Sequence, residues 1–394
     1  MNLDLLFVIL FFLILLGIYF KYKNKFEVQS KVFVLYKTKW GLKLMDKLAS
    51  KFPRFLKYLS YVSVFIGFAG MVFIFYFLIM GTYNLLFIPK SQPLLAPVLP
   101  GVKVAGLPTL SFFHWIIAIL FIAGIHEFFH GVYARAVGVK IKSSGFAFLG
   151  PILAAFVEPD EKQLAKKKKF DQLAVFSAGP FINIIAAFLI LLCTLYIVNP
   201  VAYNFVEQTG VQVVSLVPGN PAELSGIKVG EEIKFINNFS VNNIDDFSKS
   251  LANIKPNEKI IIQTLNSTYT LTTTQNPKNS KEGYLGISVS ANKVVAKGNY
   301  GNVTVLILNW IMKLFFWLYA ISLGVGLFNL LPLGPVDGGR MFNTGILYFI
   351  KNKKIARKVY ITTSLFCLLL IFINLFPYLI KLLLFIVKPI LFLI

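Results

Sequence analysis

The sequence predicts a multi-span α-helical membrane protein with a membrane-embedded β-hairpin segment and a small α+β extracytoplasmic domain. Of its 394 residues, 57% are hydrophobic, a larger share than soluble domains carry. Apolar runs of near-spanning length alternate with short basic segments, which is typical of membrane proteins whose positive loops stay in the cytoplasm. One later stretch, residues 208–290, has instead short alternating runs, turn signals and balanced charge. These three observations define the fold class.

The net charge of +22 does not indicate a nucleic-acid partner, because the basic residues flank apolar runs. No basic patch interleaved with aromatic residues is present, so the lipid bilayer is the expected surrounding and no nucleic acid is expected. The two cysteines, Cys193 and Cys367, both lie in apolar stretches. They exclude a disulfide framework and a cysteine-based zinc site.

Residues 1–110 are predicted to form two N-terminal transmembrane helices joined by a basic cytoplasmic loop. The first apolar run, 3–20, starts with an acid and is followed by three lysines, which favours a retained helix with its N-terminus outside. Residues 21–57 contain eleven Lys or Arg and two acids, so this loop is placed in the cytoplasm. The second run, 58–88, returns to the outside.

Residues 111–200 are predicted to contain two further spans with an irregular segment between them. The segment at 143–159 is too short for a span and is interrupted by Gly150 and Pro151. A membrane-embedded hairpin or re-entrant segment fits it better, and such a backbone is tolerated only inside protein or beside a cavity. The KKKK block at 166–169 then predicts a cytoplasmic connection to the next span.

The remaining chain divides into three parts. Residues 208–290 form the small domain, and their neutral charge between basic loops predicts the extracytoplasmic side. Residues 301–341 contain the fifth span. Residues 342–394 contain a basic segment and a long apolar tail, which could form one span plus an interfacial helix, or two spans.

The sequence HEFFH at 126–130 is the most informative motif, because it contains two of the chain's three histidines. On a helix, His126 and His130 lie on one face and can bind one metal ion. Glu127 can then act as general base on a water held by that metal. His126 follows Ser111 by a helical rise of roughly 22 Å, which predicts a metal in the cytoplasmic half of the bilayer.

A catalytic zinc site needs a third protein ligand. The remaining histidine, His114, lies about three helical turns from His126 and is excluded. Asp337 is the best candidate, since it follows the inner end of the fifth span, at the depth of the two histidines. The stretch 329–339 contains two prolines and three glycines, which should break the helix and let the carboxylate turn inward. An intramembrane aspartate is costly and by default suggests function.

Together these motifs resemble the site-2 protease family of intramembrane zinc metalloproteases. HEFFH matches the family's HExxH, and Asn329 to Asp337 and Gly338 match its NxxPxxxxDG pattern. AGPFIN at 178–183 is similar to the motif of the span after the HExxH helix, and GPILAAFVEPDE at 150–161 to the embedded hairpin. The resemblance covers about residues 111–341.

The soluble segment also has a counterpart in that family. PGNPAELSGIKVGEEIKFINN at 218–238 resembles the signature of inserted PDZ domains, and GYLGI at 283–287 resembles a closing strand. The resemblance therefore implies a PDZ-like domain that filters substrates by size or binds a peptide terminus.

The family implies one Zn²⁺ per chain, bound by His126, His130 and Asp337, with Glu127 as the proton carrier. It implies substrates that are single-span transmembrane proteins, cut within the membrane. Contact with the substrate is expected from Asn329, Gly150 and Pro151, with the hairpin edge pairing with an unwound strand.

Two other functions remain open at this stage. A catalytically silent, PDZ-bearing membrane scaffold would have lost Glu127 or a metal ligand, and all of them are present. A metal transporter would place ionisable residues along several spans, whereas here they gather at one depth. Asn183 is interpreted as a helix-packing residue beside Gly179 and Pro180.

Overall fold

The structure is a computed structural model that describes residues 3–23, 26–29, 33–89, 91–102, 104, 107–149, 152–252, 254–277, 279–298 and 300–391. Gly150 and Pro151, two of the predicted substrate-contacting residues, lie outside these described residues.

Twelve α-helices occur in the described residues: α1 Leu3–Lys21, α2 Leu42–Lys51, α3 Pro53–Phe87, α4 Phe112–Ala136, α5 Glu161–Ala165, α6 Lys169–Cys193, α7 Asn199–Phe205, α8 Pro221–Leu224, α9 Ile244–Leu251, α10 Asn302–Phe328, α11 Asp337–Phe349 and α12 Lys353–Leu391. A π-helical turn, Thr194–Val198, joins α6 to α7.

The described strands are β1 Phe26–Gln29, β2 Phe33–Thr38, β3 Ile141–Leu149, β4 Ile152–Pro159, β5 Val206–Leu216, β6 Glu232–Ile236, β7 Phe239–Ser240, β8 Lys259–Thr264, β9 Thr268–Thr272, β10 Thr274–Gln275, β11 Gly283–Tyr284 and β12 Ile287–Ala296.

Six helical segments of the described chain are long and apolar enough to cross a membrane, so the protein is a multi-span membrane protein. They are Leu3–Lys21, Pro53–Phe87, Phe112–Ala136, Lys169–Phe205, Asn302–Phe328 and Lys353–Lys381. The apolar tail, for which two arrangements were open, is one uninterrupted helix through Leu391 and supplies one of the six. Which ends of the helices face the cytoplasm stays a prediction.

The chain folds into two compact units, which are described separately. The first contains residues 1–102, 109–192 and 314–394, and the second contains residues 103–108 and 193–313.

The first unit contains a four-stranded antiparallel sheet in the order β1-β2-β3-β4. The predicted hairpin is present as β3 and β4. Strands β1 and β2 were missed, because their segment was interpreted only as a basic cytoplasmic loop. Lysines interrupt its apolar residues, yet Phe26 pairs with Tyr36 and Val28 with Val34, which gives one apolar face. In the order β1-β2-β3-β4, strand β4 lies at one edge of the sheet.

Small buried residues let the helices of the first unit approach closely. Ala134 of α4 and Ala178 of α6 are fully buried in one apolar cluster. Gly131 lies against Met45 of α2, and an added Cβ there would overlap the sulfur of that methionine. This packing holds α4 firmly between α2 and α6.

The second unit is built on a sheet in the order β12-β5-β6-β8-β9, with β7 paired to β6. Alternating residues of its strands, including Val211, Ile233 and Ile260, fill a core in which each is fully buried. The long pair of β5 and β12 spans residues 206–296, on either side of the predicted domain limits 208 and 290. Strand β12 lies at one end of the sheet order, as β4 does in the first unit.

Candidate metal centre

The structure brings together the three residues that the sequence predicts as metal ligands. Nε2 of His126 and Nε2 of His130 are 3.1 Å apart. Oδ2 of Asp337 lies 3.0 Å from the first nitrogen and 3.2 Å from the second. The three atoms therefore form a nearly equilateral triangle, although Asp337 is more than 200 positions away in the sequence.

This triangle fits a zinc ion. Zinc bonds to imidazole nitrogen and carboxylate oxygen are about 2.0–2.2 Å long, so tetrahedral geometry separates two ligand atoms by about 3.3–3.6 Å. The observed separations of 3.0 to 3.2 Å are a few tenths of an ångström shorter, so a small outward shift of the side chains accommodates the ion. Two neutral imidazoles and one carboxylate are also a donor set that zinc accepts, with a fourth position left for water or substrate.

Helix α4 supplies the two histidines, and the start of α11 supplies the aspartate. His126 and His130 are one turn apart, so both imidazoles project from the same face of α4. Asp337 is the first residue of α11. The break that the prolines and glycines predict between α10 and α11 is present, because α10 ends at Phe328.

The chain between α10 and α11 folds back tightly on itself. The N–H of Gly338 donates to the carbonyl of Asn329 over 2.6 Å. A Cβ on Gly338 would overlap the backbone of Leu330, and one on Gly339 would overlap the backbone of Leu333. The two glycines that follow Asp337 are therefore needed for the close approach that aims its carboxylate at the histidines.

Glu127 lies beside the ligands and is held by the edge of the sheet. Its Oε2 accepts a hydrogen bond from the backbone N–H of Val157 in β4 over 3.0 Å. Glu127, His130 and Asp337 line one cavity of about 520 Å³ together with the charged side chains of Lys37 and Arg340. Charged side chains in a cavity wall favour its hydration, because burying a charge away from water is costly.

An ion-pair network on β1, β2 and β4 includes two residues of the cavity wall, Lys37 and Glu158. Nζ of Lys37 lies 2.7 Å from Oε2 of Glu27 and 3.4 Å from Oε2 of Glu158. The hydroxyl of Ser143 donates to Oε2 of Glu158 over 2.7 Å.

Helix α6 lies under the metal centre and contacts both histidines. The Nδ1–H of His130 donates to the carbonyl of Val175 over 2.7 Å. The side-chain amide of Asn183 lies 3.0 Å from Nδ1 of His126. Between them, a Cβ on Gly179 would lie 2.5 Å from Nε2 of His126 and would also overlap Nε2 of His130. The sequence analysis missed this contact of Asn183, although Gly179 and Asn183 are one helical turn apart and so share a face.

Asn329 has a local partner. Its side-chain amide donates to the carbonyl of Val325, in the helix that it follows, over 3.0 Å. The role of Asn329 in substrate contact stays a prediction, as does that of Gly150 and Pro151.

Comparison with known proteins identifies the family. The sequence model of peptidase family M50 matches residues 114–373, about two thirds of the chain. An uncharacterized protein of Methanocaldococcus jannaschii is 32% identical over 322 residues, which cover 79% of this chain and 77% of the relative.

Two clostridial proteins, each named "Putative zinc metalloprotease", are also similar. The one from Clostridium perfringens is 24% identical over 62% of this chain and 85% of its own length. The one from Clostridium acetobutylicum is 26% identical over 35% of this chain and 41% of its own length. These relatives support a zinc metalloprotease, and the residues matched by the M50 family, 114–373, include His126, His130 and Asp337. The chain belongs to peptidase family M50, the site-2 protease family that its motifs resemble.

Proposed function

We propose that the protein is an intramembrane zinc endopeptidase that cleaves the transmembrane segments of single-span membrane proteins. The observation that carries this proposal is the triangle of ligand atoms beside Glu127 on α4, because α4 is itself one of the six candidate spans.

His126, His130 and Asp337 would hold one zinc ion per chain. When bound, zinc activates water and polarises the carbonyl of the scissile bond. Glu127 takes the proton of the attacking water and later delivers it to the leaving amine. The N–H of Val157 orients the Glu127 carboxylate, since it donates to one oxygen and leaves the other free for that proton.

The edge of β4 that faces away from β3 offers a way to present the substrate. A peptide bond inside a helix is shielded, so a transmembrane substrate must be extended locally before water can attack it. The N–H of Val157 points away from β3, because it donates to Glu127. By the alternation of a strand, the N–H of Ala155 faces the same open edge. A substrate strand that pairs there would lie next to Glu127 and the metal ligands. Gly150 and Pro151 lie between β3 and β4 in the sequence, and their contact with the substrate is part of the same proposal.

The second unit is proposed to be a PDZ-like domain that binds a peptide terminus. Its β12 lies at the end of the sheet order, which leaves one edge for strand addition. The turn before this strand contains Gly286 with φ +70°, and an added Cβ there would overlap Asn220. A tight backbone turn beside an edge strand suits the capture of a chain end. The balanced charge of the domain favours the extracytoplasmic side, and the active site is assigned to the cytoplasmic half of the bilayer.

The proposal is tested by co-expressing the protein with tagged single-span membrane proteins and looking for a fragment cut within the span. Wild type, Glu127→Gln and Asp337→Ala are compared, and zinc is counted in each purified protein. Glu282→Gln, an exposed change in the second unit, is the matched control. We expect a product that needs Glu127, with zinc retained in Glu127→Gln and depleted in Asp337→Ala.

Opposite results would favour the scaffold. Wild type without zinc, or equal behaviour of wild type and Glu127→Gln, would overturn the enzyme proposal.

The edge-pairing step has its own test in Ala155→Pro. Proline removes one outward N–H and is tolerated on an edge strand, so zinc should stay bound while cleavage falls. Undiminished cleavage by Ala155→Pro would exclude pairing at that position.

A further inference from the structure

We infer that Asn183 is a positioning residue that sets the tautomer and orientation of His126, and that it does so by rotating its side-chain amide. This inference rests on the proposed metal site and adds a residue to it that the sequence motifs do not assign a chemical role.

Asn183 is completely buried, yet only one end of its amide has a partner. Nδ2 lies 3.0 Å from Nδ1 of His126. Oδ1 is shielded from solvent and accepts no hydrogen bond in the described structure. A buried polar atom without a partner is destabilising. The contact with His126 is thus the side-chain hydrogen bond that the described structure gives to Asn183.

A second buried asparagine shows what a purely structural amide looks like in this chain. Asn374 of α12 is equally inaccessible, but both ends of its amide are bonded. Its Nδ2 donates to Thr82 and to the carbonyl of Leu370, and its Oδ1 accepts from the N–H of Leu94. The amide oxygen of Asn183 lacks the partner that the amide oxygen of Asn374 has. This difference distinguishes the role of Asn183 from simple helix packing.

The bond to His126 has to change direction when a metal binds. Without metal, Nε2–H of His126 can donate to Oδ2 of Asp337, so Nδ1 is an acceptor and receives a proton from Nδ2 of Asn183. A metal ligand must offer the lone pair of Nε2, and the ring proton then sits on Nδ1. Rotating the amide by half a turn brings Oδ1 to the same place, where it accepts that proton. An amide is suited to both states because its oxygen and nitrogen have nearly the same shape.

The backbone around Asn183 is fixed, so that only the amide has to turn. The hydroxyl of Ser322 on α10 donates to the carbonyl of Asn183 over 2.9 Å. Gly326, one turn further along α10, would place a Cβ only 3.2 Å from the Cβ of Asn183. Because Gly326 has no side chain, α10 packs directly against this part of α6.

His130 provides the contrast within the same site. Its Nδ1 faces the carbonyl of Val175, which can only accept, so Nδ1 carries the proton with or without metal. In the neutral ring, Nε2 of His130 therefore keeps its lone pair and needs no change of tautomer to bind a metal. Of the two histidines, only His126 has a partner at Nδ1 that can either donate or accept. Asn183 is therefore the side chain that controls the tautomer of His126.

The test measures zinc affinity in the full-length protein in detergent, by competition with a chromophoric chelator. Asn183→Leu keeps the shape and removes the bond, and we expect its zinc dissociation constant to rise about 10–100-fold, the usual effect of losing a partner of a metal-bound histidine. Asn183→Asp keeps an acceptor and should bind zinc close to wild type or more tightly. Asn374→Leu is the matched control and should lower thermal stability without changing zinc affinity.

A second readout keeps the test valid if one variant folds poorly. Cobalt bound in place of zinc gives visible absorption bands that report ligand geometry, and these should shift in Asn183→Leu and be restored in Asn183→Asp. The inference is overturned if Asn183→Leu matches wild type in affinity and spectrum, or if Asn183→Asp is as weak as Asn183→Leu. If wild type itself binds no zinc, the proposed function fails together with the inference.

Discussion

Gly179 gives the sharpest prediction about the metal centre. In Gly179→Ala, the new methyl group would lie 2.5 Å from Nε2 of His126, while ordinary contacts of a Cβ begin at 3.4 Å. At least one imidazole must therefore move by about 0.9 Å. Bond lengths at a protein metal site are held within about 0.2 Å, so this shift is several times the tolerance.

We expect Gly179→Ala to weaken zinc binding by more than about 100-fold, because losing only an outer partner of a ligand already costs 10–100-fold. Cleavage should be lost with the metal. Alanine is a better helix former than glycine by about 1 kcal/mol, so poor helix formation cannot explain a loss. Gly124→Ala and Gly324→Ala are matched controls, since a Cβ at either position meets nothing within 4 Å.

The assay is chelator competition on purified protein, followed by cleavage of a tagged substrate in co-expressing cells. Both control variants should behave as wild type. If Gly179→Ala retained wild-type zinc affinity and cleavage, the ligand atoms could not lie where the structure places them, and the triangle would have to be abandoned as the metal site.

Three further outcomes are expected. Glu232 in the second unit is buried and bonded to Lys234, which lowers the pKa of its carboxyl. The resulting stabilisation is present above the unfolded pKa of about 4.3 and is lost as pH falls through the lower folded pKa. Protection of β5 and β6 from amide exchange should therefore decrease in that acid range in wild type, and it should already be lower at neutral pH in Glu232→Gln. Met45→Ala removes a buried side chain that packs against Gly131. This change should lower the free energy of unfolding by about 2–5 kcal/mol, measured by thermal unfolding. Glu127-dependent cleavage should persist at low temperature. Stripping zinc with a chelator should abolish cleavage and its re-addition should restore it, whereas unchanged cleavage in stripped protein would contradict metal catalysis.

The sequence predicted that His126, His130 and Asp337 come together, and the structure contains this grouping, while their role as metal ligands stays a prediction. His126 and His130 are fixed by the helical period, and the glycines and prolines around Asp337 predict a break that the structure contains. It was not sufficient for β1 and β2, where lysines obscure the strand pattern and pairing with β3 decides the conformation. Asn183 was missed for a related reason, since helical spacing places it on a face but cannot say which side chain of another helix that face meets.

The position of α6 under both histidines has a thermodynamic consequence. Nδ1 of each imidazole proposed to bind metal is bonded to this one helix, to Val175 in one case and to Asn183 in the other. Any displacement of α6 from α4 therefore weakens metal binding, and by reciprocity bound metal strengthens the association of the two helices by the same free energy. A 10–100-fold change in affinity corresponds to about 1.4–2.7 kcal/mol. Zinc occupancy and helix association in the membrane are thus one linked equilibrium.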